Sequence, residues 1–137
     1  MSKAEPVIQK YMTYVPHAID ASKTLKEAEE VMLLHNIRHL PVMKGGEISG
    51  LISDRDIKMA AGIMGSSPNL VIVDDICREH PYQVSPDAKL HEVATEMASK
   101  RYGSALVVQN GKLVGIFTTV DACRALSEII QTRFHTN

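Results

Sequence analysis

A chain of 137 residues with 45% apolar content suits one compact domain or two intimately packed halves, because separate cores of about 65 residues are marginal. The net charge is −1, with eight Lys/Arg and eight Asp/Glu in residues 1–65 and seven and eight in residues 66–137, so the basic stripe of a polyanion-binding surface is missing and nucleic acid is not expected as a partner. No apolar run reaches the roughly 20 residues of a membrane span, the N-terminus lacks a signal-peptide core, and Cys77 and Cys123 form no CxxC, which together predict a reduced, cytoplasmic setting without membrane contact.

Residues 1–5 read as a frayed end and residues 6–12 as a short leading helix. From Pro16 the chain is written twice at an offset of 65, residues 16–60 lying over residues 81–125 without a gap. Identical pairs include Pro16/Pro81, Leu25/Leu90, Glu27/Glu92, Met32/Met97, Val42/Val107, Gly50/Gly115, Asp56/Asp121 and Ala60/Ala125. This period is longer than the roughly 20–50 residues of solenoid arrays, which points to one pseudo-symmetric pair with a cleft between its copies. Each copy opens on a short strand, at residues 17–20 and 82–85. A helix follows, opened in the first copy by the capping box Thr24-x-x-Glu27, with Leu25, Ala28, Met32 and His35 at helical spacing. In the second copy Lys89 stands at the cap position, so Asp87 is expected to cap instead, before Leu90, Val93, Ala94 and Met97. Hairpins then turn at Gly45-Gly46 and Asn110-Gly111. Second helices start at Asp54 and Thr119, and Asn36 is expected to end the first helix of copy one. The predicted organisation is repeat one at residues 7–61, a Gly/Ser/Pro-bearing linker at residues 62–73, and repeat two at residues 74–130.

Chemistry is expected where each hairpin's second strand passes into a helix. Copy one reads Gly50-Leu51-Ile52-Ser53-Asp54-Arg55-Asp56, and copy two reads Gly115-Ile116-Phe117-Thr118-Thr119-Val120-Asp121. A helix N-terminus offers unpaired N–H groups and partial positive charge to a phosphate, and the hydroxyl adds a hydrogen bond. An aspartate one turn later can accept from two ribose hydroxyls. The same residues can equally be plain helix caps, with the aspartates favouring the dipole.

With its ordered motifs present twice, the stretch from about residue 7 to 127 resembles a tandem pair of cystathionine β-synthase (CBS) domains, a Bateman module. The resemblance rests on His39-Leu40-Pro41-Val42, the hairpin glycines and the two G-h-h-[ST]-x-x-D segments. It implies an α/β (α+β) fold of two β-α-β-β-α repeats about a pseudo-twofold axis. It also implies a regulatory module that binds AMP, ADP, ATP or S-adenosylmethionine between the repeats, requires no cofactor and signals to a partner protein. The ligand residues it implies are Ser53, Asp54, Arg55 and Asp56 in one cleft and Thr118, Thr119 and Asp121 in the other, with Ile19, Val84, Pro41 and Leu106 around the base. A disc-like homodimer is the family's habit, for which Ile57, Ala61, Met64, Ala122, Ala125, Leu126 and Ile129 could supply apolar faces.

The copies differ in charge. Arg38 and Arg55 of copy one stand over Gly103 and Val120 of copy two, so the first site should favour a phosphorylated ligand through bidentate bonds and charge. The alternative leaves both arginines solvated or paired with Asp54. His39 and His17 flank the expected clefts. No catalytic residues, metal cluster, GxSxG or P-loop can be read, and the chain is not expected to be an enzyme. The alternatives are a ligand-free dimerisation or protein-docking module and, with less to support it, a redox- or metal-responsive adaptor.

Overall fold

A computed structural model describes residues 4–14, 16–65 and 67–134, the side chain of Met64 lying outside that description. The described chain divides into an internal unit, residues 16–81, and a terminal unit built from residues 82–134 and residues 4–14. Residues 7–14, the leading segment of the first copy, therefore pack with the second copy. Residues 72–79, the leading segment of the second copy, pack with the first.

Helix α1 (Ile8–Tyr11) and strand β1 (Thr13–Tyr14) make up the leading segment of the terminal unit. The internal unit runs β2 (Ile19–Asp20), α2 (Leu25–His35), β3 (His39–Lys44), β4 (Glu47–Ser53) and α3 (Asp54–Met64), followed by 3-10 turns at Pro68–Leu70 and Val73–Asp75. Its sheet has the order β2-β3-β4, with β2 parallel and β4 antiparallel to β3. The terminal unit runs β5 (Gln83–Val84), α4 (Leu90–Lys100), β6 (Ser104–Gln109), β7 (Lys112–Thr118) and α5 (Thr119–Phe134), and its sheet has the order β1-β7-β6-β5. Both hairpins turn through two residues with positive φ, Gly45 and Gly46 in one and Asn110 and Gly111 in the other, the conformation whose twist matches the flanking strands. Both carry a register shift at the same place, Val42/Met43 and Val107/Val108.

Alternation along the strands puts Leu40, Val42 and Ile52 on the helix side of one sheet and Ala105, Val107 and Phe117 on that of the other. In the internal unit they meet Leu25, Ala28 and Met32 of α2 and Ile57 and Ala60 of α3. Val71 and Val73, from beyond the second helix, complete this core. Ile8, Tyr11 and Met12 do the same in the terminal unit. Ile8 and Val73 are both fully buried and are 65 residues apart, so the internal echo continues upstream of Pro16. Each burial is worth about 1.5–3 kcal/mol, which makes the leading segments part of the cores rather than loose connections.

Two expectations need correction here. Asp87 does not cap α4: its N–H and carboxylate turn back to the Ser85 hydroxyl, and the N-cap residue Lys89 makes no side-chain capping bond. The Leu90 N–H donates to the Pro6 carbonyl at 2.9 Å, as the Leu25 N–H donates to the Val71 carbonyl at 2.9 Å, so the leading segment supplies the acceptor. Ile57 and Ala125, expected on an interface, are core residues at 1% and 2% exposure. Of the other residues in that expectation, Leu126 is exposed, Ala61, Ala122 and Ile129 are half-buried, and the Met64 side chain lies outside the described part. Thr24 does cap α2, accepting from the Glu27 N–H at 3.1 Å. Asn36 ends that helix in the left-handed conformation.

Candidate functional site

The sequence G-h-h-[ST]-x-x-D folds in both units as a strand that ends on a helix cap. In the internal unit Ser53 is the N-cap of α3, its hydroxyl accepting from the Asp56 N–H at 3.1 Å while Asp56 Oδ2 accepts from the Ser53 N–H at 2.9 Å. This reciprocal capping box satisfies two of the orphan donors of the first turn. In the terminal unit Asp121 Oδ2 accepts from the Thr118 N–H at 2.9 Å and the Thr118 hydroxyl accepts from the Asp121 N–H at 3.3 Å. The capping role foreseen for these residues is therefore present in both copies.

The motif glycines have a separate reason. A Cβ on Gly50 would lie 2.6 Å from the Arg78 carbonyl oxygen and 2.9 Å from Cys77 Sγ. One on Gly115 would lie 2.5 Å from Met12 Sδ and 3.0 Å from the Thr13 carbonyl oxygen. Each glycine thus admits a leading segment against the strand before the motif. Leu51 and Arg78 exchange backbone hydrogen bonds of 3.0 and 2.8 Å, and Thr13 pairs with Ile116 in the other unit.

The leading segments bring side chains that the repeat alignment, begun at Pro16, did not reach. Arg78 Nε lies 3.7 Å from Asp56 Oδ1. Thr13, at the same place 65 residues earlier, donates its hydroxyl to Asp121 Oδ1 at 3.1 Å and lies 3.3 Å from Oδ2. Arg124 Nη1 donates to Asp121 Oδ1 at 2.9 Å. Running the offset upstream through Ile8/Val73, Met12/Cys77 and Thr13/Arg78 would have found the first two.

His39 is cross-strand from Ser53, and the Arg38 carbonyl accepts the Asp54 N–H at 2.9 Å, which places both beside the helix start. Burial pushes the His39 imidazole below its usual 6.5, Asp56 opposing and Arg78 and Arg38 adding to the depression. Arg38 and Arg55 are exposed, and among the described residues neither pairs with Asp54, whose carboxylate takes Lys58 Nζ at 3.0 Å. Thr119 is exposed at the first position of α5 and donates its N–H to the Gly103 carbonyl. Ser104, the counterpart of His39, is 3% exposed, and its hydroxyl has no hydrogen-bond partner among the described residues. The four base-flanking candidates do not share a face. Ile19 and Val84 pack into the helix-side cores, whereas Pro41 and Leu106 alternate with core residues and point to the other side of their sheets. His17 is exposed and stacks on His35, ring centroids 3.5 Å apart.

Among the described residues no cluster of three or more His, Cys, Asp or Glu could hold a metal ion, and no helix is long and apolar enough to cross a membrane. Burial, with Asp74 and Glu79 nearby, pushes the Cys77 thiol up, away from the thiolate that redox chemistry needs.

The CBS domain profile matches residues 8–62 and again residues 73–128. Hypoxic response protein 1 of Mycobacterium tuberculosis is 30% identical over 107 residues, 77% of this chain and 75% of that protein. A crystal structure of a Vibrio cholerae protein named for acetoin utilization (AcuB) superposes with a TM-score of 0.86 at 26% identity, over 98% of this chain and 99% of that one. The CBS domain pair of protein MJ0100, solved in complex with 5′-methylthioadenosine and S-adenosyl-L-methionine, superposes with a TM-score of 0.82 at 23% identity, over 91% of this chain and 98% of that one.

Proposed function

The chain belongs to the CBS domain family, and from that premise we propose that it is a non-catalytic regulatory module that binds an adenosine-containing ligand. AMP, ADP, ATP and S-adenosylmethionine are the candidates, and the ligand acts as a signal rather than a cofactor. The observation that carries this reading is the cluster at the start of α3. A helix N-terminus, the Ser53 hydroxyl, Arg38, Arg55 and Arg78 offer positive charge and donors to a phosphate. Asp56, one turn on, has an oxygen met by no donor closer than 3.7 Å among the described residues, which suits a ribose diol. At the start of α5 Gly103, Val120 and Thr13 replace Arg38, Arg55 and Arg78, the one arginine on Asp121, Arg124, is tied to its carboxylate at 2.9 Å, and among the described residues the spare polar group there is the Ser104 hydroxyl. That favours an uncharged adenosine derivative, or weaker binding, in the terminal unit. The ligand-bound MJ0100 pair supports the choice of ligand class.

Ligand energy enters only as differential affinity between states. The output is a conformational or oligomeric shift read by a separate effector protein, with a homodimer as the working assembly and the cytoplasm as its setting. A second reading, a ligand-free docking module, is favoured by one observation: the capping bonds already use Ser53, Asp56, Thr118 and Asp121. A thermal-shift panel of AMP, ADP, ATP, S-adenosylmethionine and divalent metals separates the two. A ligand at 100 times its dissociation constant adds about 2.7 kcal/mol of stability. A shift with an adenosine compound supports the sensor, and no shift with any of them supports the docking module.

A further inference from the structure

The two motif aspartates sit in matched places but are not equally available. Asp121 is 2% exposed, and both its oxygens are taken: Oδ1 by the Thr13 hydroxyl at 3.1 Å and Arg124 at 2.9 Å, Oδ2 by the Thr118 N–H at 2.9 Å and the Thr118 hydroxyl at 3.2 Å. Asp56 has a side chain 13% exposed, and among the described residues its Oδ1 has only the Arg78 guanidinium, at 3.7 Å. The counterpart of Arg124 at the offset of 65 is Met59, which has nothing to donate. The difference thus comes from residues outside the motif, Arg124 on α5 and the position that faces the aspartate from the leading segment.

We infer that this position, Thr13 in one unit and Arg78 in the other, determines which aspartate can receive a ligand. Thr13 closes Asp121 by occupying the carboxylate that a ribose diol would need. Arg78 leaves Asp56 open and sets a cation beside it. A diol approaching Asp121 must displace two hydrogen bonds, one of them from a guanidinium, and regains only what its own hydroxyls supply. A diol approaching Asp56 displaces no bond within hydrogen-bond distance at Oδ1 among the described residues. The Arg78 side chain, 64% exposed, can turn to a phosphate without leaving a buried group unpaired. Asp121 is then a structural fastener that holds the first-copy leading segment to α5, although it carries the same motif. The inference rests on the proposed adenosine reading for its ligand half, while its structural half can be measured without ligand.

The test combines ligand titration with a ligand-free cycle on the full chain. AMP and adenosine are titrated into wild type, Thr13→Val, Thr13→Ser and Arg78→Gln. Urea unfolding is measured for Thr13→Val, Asp121→Asn and Asp56→Asn, and for Thr13→Val combined with each aspartate variant. Wild type should take one tight AMP per chain. Thr13→Val, which keeps the shape and removes the hydroxyl, should tighten the second site at least tenfold, and Thr13→Ser should restore wild-type behaviour. Arg78→Gln should weaken AMP by roughly tenfold more than it weakens adenosine. Thr13→Val and Asp121→Asn should be non-additive, and Thr13→Val and Asp56→Asn additive. An unchanged second site in Thr13→Val, or an additive Thr13/Asp121 pair, overturns the inference. If no protein binds either compound the adenosine reading fails, and the cycle alone then upholds or overturns the closing of Asp121 by Thr13.

Discussion

Gly50→Ala is the sharpest perturbation of the way each unit holds its leading segment. The added Cβ would stand 2.6 Å from the Arg78 carbonyl oxygen and 2.9 Å from Cys77 Sγ, and the first of these is backbone, which cannot rotate away. Overpacking of this kind costs about 1–3 kcal/mol. If residues 77–79 yield instead, the two Leu51–Arg78 hydrogen bonds of 3.0 and 2.8 Å are lost, at about 0.5–1.5 kcal/mol each. Either way the variant should lose about 1–3 kcal/mol, measured as the change in urea midpoint with m unchanged. Gly115→Ala meets the end of Met12, a flexible side chain, at 2.5 Å, and should cost less. Gly62, in α3 with nothing within 4 Å of its would-be Cβ, is the control: its alanine variant should gain about 0.5–1 kcal/mol. Gly50→Ala as stable as wild type would refute the claim that the motif glycine is there to admit the leading segment.

Other consequences concern helix ends and pH. Arg101 closes α4 with φ of 60°, so Arg101→Gly should raise stability by about 1 kcal/mol in the same urea assay. Asn36→Gly at the matching place should gain less, because asparagine tolerates that conformation. The depressed His39 imidazole means that the unfolded chain binds the proton more readily. Its contribution is therefore complete above about 6.5, the unfolded value, and is lost as pH falls through the lower folded value. His39→Gln should flatten the fall in melting temperature between pH 7 and pH 5 relative to wild type, and an unchanged slope would contradict this.

Much of each copy was legible because its signals are local. The hairpins follow from Gly45-Gly46 and Asn110-Gly111, the helix starts from Thr24 and Ser53, and the end of α2 from Asn36, each a short-range conformational preference. The capping half of the candidate site was legible for the same reason. The exchange of leading segments was not, since it joins Ile8 to a core formed more than 80 residues later and no local pattern marks it. Periodic identity fades upstream of Pro16, where the match shows in the burial of Ile8 and Val73 and in the matched places of Thr13 and Arg78. The failed cap at Asp87 follows from this exchange, because Pro6 supplies the acceptor that the sequence appeared to lack. So does the unequal standing of Asp56 and Asp121, which depends on Arg78 and Thr13. That Ile19 and Val84 face the helix-side cores was not legible, because two-residue strands carry too little alternation to reveal which way they face.

The central claim, a phosphorylated adenosine ligand held at Asp56, is met most directly by calorimetric titration of AMP into wild type, Asp56→Asn and Asp121→Asn, all folded at the temperature used. Hydrogen bonds from a diol to a charged group are worth about 1.5–3 kcal/mol. Asp56→Asn should therefore weaken the tight site roughly ten- to a hundredfold, while Asp121→Asn leaves it within about threefold of wild type. Equal losses in the two variants, or a loss confined to Asp121→Asn, would contradict the account.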